Sequence, residues 1–198
     1  MVITTLGLVI FSHDTEGSLL VVVDFVNTAR QCGGTERLPD AHHVQEFVDR
    51  HGLPSNNTGD LGDLTSLHAV RDCFRRVFGL TDAAEIAAEV NALIAVAPVS
   101  PRLTDHDGYH WHMHYSAPDA RLADRLGVVG AMALAQVVSD SETERLHICE
   151  APDCNAVLVD LTRNRSKRYC DARGCANRLH VAAYRERKRL ESVPPKPL

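Results

Sequence analysis

Residues 149–175 read CEAPDCNAVLVDLTRNRSKRYCDARGC, and four cysteines in this stretch decide what the C-terminal quarter of the chain has to be. Cys149 and Cys154 form one C-x4-C pair and Cys170 and Cys175 a second, with fifteen residues between the pairs. A Zn²⁺ ion takes four soft ligands at the corners of a tetrahedron, with Zn–S about 2.3 Å, and a short turn lets each pair offer two thiolates to one ion. Pro152 stiffens the first turn, Gly174 loosens the second, and VLVDLTRNRSKRY (157–169) is long enough for a hairpin that brings the turns together. The alternatives are four unligated buried thiols or two disulfides. With four sulfur ligands no position stays open for water, so the expected site is structural rather than hydrolytic. A segment of about fifty residues with so few large apolar side chains needs such a metal to fold. His147 and His180 are backup ligands. Cys32 and Cys73 lie outside any motif, and Cys73 falls on an apolar helix face as a small core residue.

Charge divides the chain at the same place. The 198 residues carry a net charge of −5, but residues 1–144 hold 20 acids and 9 bases, net −11, whereas residues 145–198 hold 12 bases and 6 acids, net +6. Between Arg163 and Arg189 ten Lys or Arg stand against two acids, Asp171 and Glu186. A basic end on an acidic body suggests a polyanionic partner. In ANRLHVAAYRERKRL (176–190) a helix places Arg178, Arg185 and Arg189 within about 40° of one another, and Leu179, Ala183 and Leu190 on a separate inward face. An arginine-striped helix suits the major groove of duplex DNA. Lys188 and Tyr184 would add backbone contacts, and Arg163, Arg165, Lys167 and Arg168 would reach phosphates from the hairpin. A charged helix that is merely solvated is the alternative, and the scarcity of balancing acids speaks against it.

The first 144 residues are expected to be helical. Ser18 to Arg30 carries an apolar stripe at Leu19, Val22, Val23 and Val26, although its three valines would also suit a strand. Asp40 caps a short helix through Arg50. Leu64 to Phe78 makes an apolar face over about four turns. Thr81 caps a further helix with Ile86, Val90 and Leu93, Pro98 to Gly108 is a connection, and Pro118 starts a long helix through Val137. Asp24 and Asn27, one turn apart in an apolar segment, need partners if buried, either backbone groups or a bound polar ligand. His110, His112 and His114 alternate with Trp111, Met113 and Tyr115, so a strand carries three imidazoles on one face, spaced about 6.6 Å apart, close enough for two to share a metal. That is the best argument for an enzyme, but no general base or HExxH-type helix accompanies it, and a solvent-facing strand edge is the plainer explanation. No apolar run approaches the roughly 18 to 20 residues of a membrane span. Met1 to Phe11 lacks the basic leader and cleavage site of a secretory signal, which leads to the expectation of a reducing cytoplasm.

The run from Cys149 to Arg189 resembles the CGNR-type zinc finger of bacterial proteins: four cysteines at matching spacing, Asp160, the step Arg168-Tyr169-Cys170, and Asn177-Arg178. VDFVNT (23–28) resembles the opening motif of the ABATE domain that commonly precedes that finger. The family's glycine after the last cysteine is Ala176 here, so the signature reads CANR, and alanine favours a helical first turn at that point. The resemblance implies a transcription regulator, stress-associated in some descriptions, whose finger binds double-stranded DNA and whose N-terminal part senses a small-molecule effector or assembles a homodimer. Asn177 would then support a cysteine sulfur or a hairpin carbonyl, and Asp160 would anchor Arg168 or Arg178. The expected fold is mainly α. An orthogonal helical domain with a short β element (1–144) precedes a treble-clef-like finger of hairpin plus basic helix (145–191), and a disordered tail (192–198) ends the chain. A metal-dependent enzyme using the histidine strand, and an adaptor whose basic finger binds an acidic protein or its own acidic body, are the competing classes.

Overall fold

The structure, a computed structural model, describes residues 11–53, 61–105 and 111–191. His110, the apolar stretch before Phe11 and the tail 192–198 lie outside the described residues. The three-valine run is helical: α1 (His13–Asn27) starts where the Ser12 hydroxyl accepts the Thr15 amide at 3.2 Å, and it buries Leu19, Val22, Phe25 and Val26 along one side. A single turn, α2 (Arg30–Gly33), ends at Gly34, whose φ of 86° suits a residue without Cβ. Asp40, Asp63 and Asp82 cap α3 (Ala41–Arg50), α4 (Leu64–Phe78) and α5 (Ala83–Val96), each accepting amides of the first turn. The cap of α5 is therefore Asp82, one residue beyond the expected Thr81, because its carboxylate takes two amides, those of Ala84 and Glu85.

The connection expected around Pro98 contains a strand, β1 (Val99–Thr104), which pairs antiparallel with β2 (His112–Ser116) through an irregularity between Val99 and Arg102. Its side chains are mostly exposed and Pro101 lacks an amide proton, so no alternation marks it. The long helix α6 (Leu122–Ser139) begins four residues after Pro118, because residues 117–120 form a turn first. It packs against α5, α1 and α4. Gly130 permits this approach, since a Cβ there would lie 2.7 Å from a Val22 methyl and closer still to the Phe74 ring. By length and composition α6 would qualify as a membrane span, contrary to the expectation that no such stretch exists, but its apolar surface is the wall of the core.

Beyond the positive-φ Ser141 come β3 (Leu146–Ile148) and β4 (Val157–Val159), an antiparallel pair, and then α7 (Cys175–Glu191). Leu146, Val157 and Val159 belong to the same hydrophobic core as α1, α4 and α6, while Leu158 points to a smaller cluster formed with the four cysteines. Period-two alternation along β4 thus joins two cores.

Candidate metal centre and basic face

The first cysteine turn grows out of the hairpin: Cys149 follows β3, its amide donates to Ala156 O at 2.8 Å, and the Cys154 amide closes the turn on Ala151 O. The second turn uses Gly174 at φ 55° and delivers Cys175 as the first residue of α7. All four sulfurs are buried and lie within 4.8 Å of one another. Sγ–Sγ is 3.6 Å for both Cys154–Cys170 and Cys170–Cys175. Four thiolates around a tetrahedral zinc ion stand about 3.8 Å apart, so the cluster has the right size without rearrangement. The Cys170 amide already points at the Cys149 sulfur at 3.3 Å, a bond that steadies a thiolate. Burial pushes the Cys149 and Cys170 thiols up from their ordinary values, whereas hydrogen bonds from the Ala156 amide and the neighbouring cysteines outweigh burial at Cys154 and bring it down; a bound divalent cation would favour the thiolate form at all four. His147, in β3, and His180, exposed on α7, are not part of the cluster, and no disulfide is present among the described cysteines.

Two family models match this chain. The ABATE family, described as "putative stress-induced transcription regulator", covers residues 20–141, and the CGNR zinc finger covers residues 145–188. The chain belongs to the ABATE family. No curated protein sequence matches it. In this ABATE protein the CGNR finger, with its four close cysteines, fits one structural Zn²⁺. Ala176, where the family has glycine, is not a positive-φ position and lies in the first turn of α7, as its side chain requires.

The basic residues divide into tied and untied ones. Arg178 is tied: it clasps Asp153 with both terminal nitrogens, at 2.5 and 2.8 Å, and touches the Cys175 sulfur at 3.4 Å. That guanidinium holds the Asp153 carboxyl down at about 2. Arg178 therefore staples α7 to the first cysteine turn instead of belonging to an open stripe with Arg185 and Arg189. Arg165 pairs with Glu142 and Glu144, Lys167 with Asp171, Arg168 with Glu150 and Arg189 with Glu186. Arg163, Arg185 and Arg187 have no acidic partner among the described residues, and Lys188 stands on the exposed length of α7. From Ala176 to Arg189 only Leu179 is even half-buried. Ala183, expected to face inward, is exposed, because α7 runs beyond the finger and nothing in the described chain covers it; the Leu190 side chain lies outside what is described. Tyr184 is 56 % exposed.

Asp160 is fully buried but does not reach Arg168 or Arg178. One oxygen accepts the Thr162 amide and hydroxyl and the other the Lys167 amide, so it pins the turn that carries Arg163 and Arg165. Burial alone would raise its carboxyl, and these bonds more than reverse the effect. Asn177 is exposed and makes no described hydrogen bond. Sequence reasoning missed Arg145, 2 % exposed, which donates to Asp160 O, Thr162 O and Glu142, and Asp153 in the first turn. The only signal for either was a charge next to a motif, and charges beside motifs are common.

Asp24 and Asn27 do not share a site. Asp24 is half-exposed and meets Arg37, Arg50 and His51. Asn27 is buried and uses its amide as a backbone mimic, donating to Val157 O and accepting the Val157 amide, both at 2.8 Å. Arg75 adds a second tie between the regions, donating to Asn155 O at 2.8 Å and to the Cys32 sulfur. The histidine strand is not a plain solvent-facing edge: His112 and His114 are half-buried, line a cavity beneath the β1–β2 hairpin and bring their Nε2 atoms to 3.1 Å.

Proposed function

We propose that this ABATE protein is a transcription regulator that grips duplex DNA with its zinc finger, while its helical domain senses a small molecule or holds two copies together. The observation that carries the reading is the exposed α7, anchored at its first turn by Cys175, Leu179 and Arg178 and bearing Arg185 and Arg187 without acidic partners. Arginine side chains free of intramolecular pairs give up no ion pair when they meet a phosphate, whereas Arg165, Lys167, Arg168 and Arg189 must exchange an acid for it. Arg163, on the turn pinned by Asp160, belongs with the free group; Tyr184 and Lys188 stand on the same exposed helix as Arg185 and Arg187. The zinc is structural, which argues for a binding role and against hydrolysis at that site. A dimer suits the finger, because one small module buries too little surface for tight specificity. A reducing cytoplasm keeps the four thiols available to the metal.

Duplex affinity measured by fluorescence anisotropy over a range of salt concentrations tests the reading. Log K should fall with log[salt] by about 0.9 for each phosphate neutralised, and the double variant Arg185→Ala/Arg187→Ala should flatten that slope by about 1.8. Unchanged affinity and slope in the double variant at moderate salt would refute DNA binding through α7.

A further inference from the structure

Between α1, α6 and the β1–β2 hairpin lies a cavity of about 1110 Å³, the size of a small-molecule site or slightly above. Its walls are chemically divided. The helices contribute apolar groups such as Val22, Leu126 and Val129, and the hairpin contributes Arg102, His112 and His114. Arg102 stands directly opposite His114 in the strand register, so a guanidinium and two imidazoles share one wall. Arg102 is half-buried, and its partner is neutral: Nη1 donates to Ser116 O at 2.6 Å, and no carboxylate pairs with it among the described residues. A guanidinium drawn partly out of water without a counter-charge is unfavourable until an anion reaches it.

The charge inventory supports the same conclusion. Arg50, Arg102 and Arg125 line the cavity, three of the nine bases in residues 1–144, whereas Asp14 is the one described acid of the twenty that does so. Arg50 already pairs with Asp24, and Arg125 donates to Pro118 O and Ala120 O, so the hairpin guanidinium Arg102 is the cation on which an entering anion would bear. At the cavity edge α1 carries Gly17, where an added Cβ would meet nothing within 4 Å. Packing does not require that glycine, so a larger side chain can be placed there without displacing a neighbour.

We propose that this cavity binds an amphipathic small-molecule carboxylate, with its anionic end on Arg102, His112 and His114 and its apolar body along α1 and α6. This specifies the ligand class for the sensing half of the function proposed above, on which its regulatory meaning, though not the binding itself, rests.

Trp111, the only tryptophan in the sequence, lies 68 % exposed at the cavity edge, so its fluorescence reports occupancy. The full zinc-loaded chain is titrated with 4-phenylbutyrate and decanoate and with the matching alcohols, 4-phenylbutanol and decanol. At least one acid should saturate the signal and bind at least about tenfold more tightly than its alcohol, a preference of about 1.4 kcal/mol. Arg102→Gln should abolish that preference and leave alcohol binding unchanged, and Gly17→Leu should weaken both ligands without lowering Tm. Acids that bind no better than alcohols, a preference that survives Arg102→Gln, undiminished binding in Gly17→Leu, or no saturation by either acid would each overturn the proposal. DNA is absent from these titrations, so their failure leaves the finger's role standing, and failure of the duplex titration leaves this site standing.

Discussion

Val157 has both of its backbone polar groups satisfied by one side chain. Asn27 of α1 completes the edge of β4 as a neighbouring strand would, in a place where no water can substitute. Asn27→Ala strands a buried N–H and a buried C=O, each costing about 1–3 kcal/mol, so a loss of about 2–6 kcal/mol is expected in chemical denaturation. A loss below about 0.5 kcal/mol, the level of ordinary surface substitutions, would mean that water reaches the joint. Arg71 and Glu36 form another junction, with both guanidinium ends on the carboxylate at 2.7 and 2.8 Å and a further bond to Thr28. Burial pushes the Glu36 carboxyl up, but Arg71 and the Leu38 amide outweigh it, and the net shift is downward. A depressed carboxyl stabilises the fold above its unfolded value of about 4.3 and loses that contribution as pH falls through the folded value. Melting temperature should therefore drop on acidification below about pH 4.5, and Glu36→Gln should be less stable at neutral pH with a shallower acid decline. An acid limb identical in both proteins would remove Glu36 from the account.

α7 depends on metal more than on packing. Its seventeen residues leave the finger after Leu179, and an isolated helix of that length is marginal in water. A chelator, or Cys154→Ser, should remove the helical circular dichroism of roughly that one element while α1, α4, α5 and α6 persist around the main core. Full retention of helicity in the zinc-free chain would show that the Arg178–Asp153 staple suffices by itself. α6 is the opposite case, a helix stabilised by burial on nearly every side, with Gly130 allowing Phe74 and Val22 to close on it. The cysteine spacing, the helical stripes of α1 and α4 and the β2 alternation were legible because each is a local period. β1 was not legible: its partner, the β2 backbone, supplies the bonds, and neither of its faces is consistently apolar.

Across the molecule, the acidic body and the basic end are not held apart. Glu142 and Glu144, at the foot of the body, take Arg165 of the finger turn, and burial of Glu142 is outweighed by Arg145 and Arg165, which keep its carboxyl low. Five of the eight cations expected to meet a partner, Arg165, Lys167, Arg168, Arg178 and Arg189, are already paired inside the chain, which under the proposed function concentrates DNA contact on α7. Composition and spacing by themselves determined the zinc ligands, the helical character of the N-terminal part and the change of charge sign near residue 145, because coordination number, helical period and net charge are properties of short stretches. Only the tertiary structure decided which arginines are free, that Asn27 is a strut and not a ligand group, and that Arg102 comes to face His114 over a cavity. Those outcomes depend on which residues distant in sequence come within about 3 Å of one another, and hydrogen-bond and ion-pair energies fall off too steeply for any local pattern to report them.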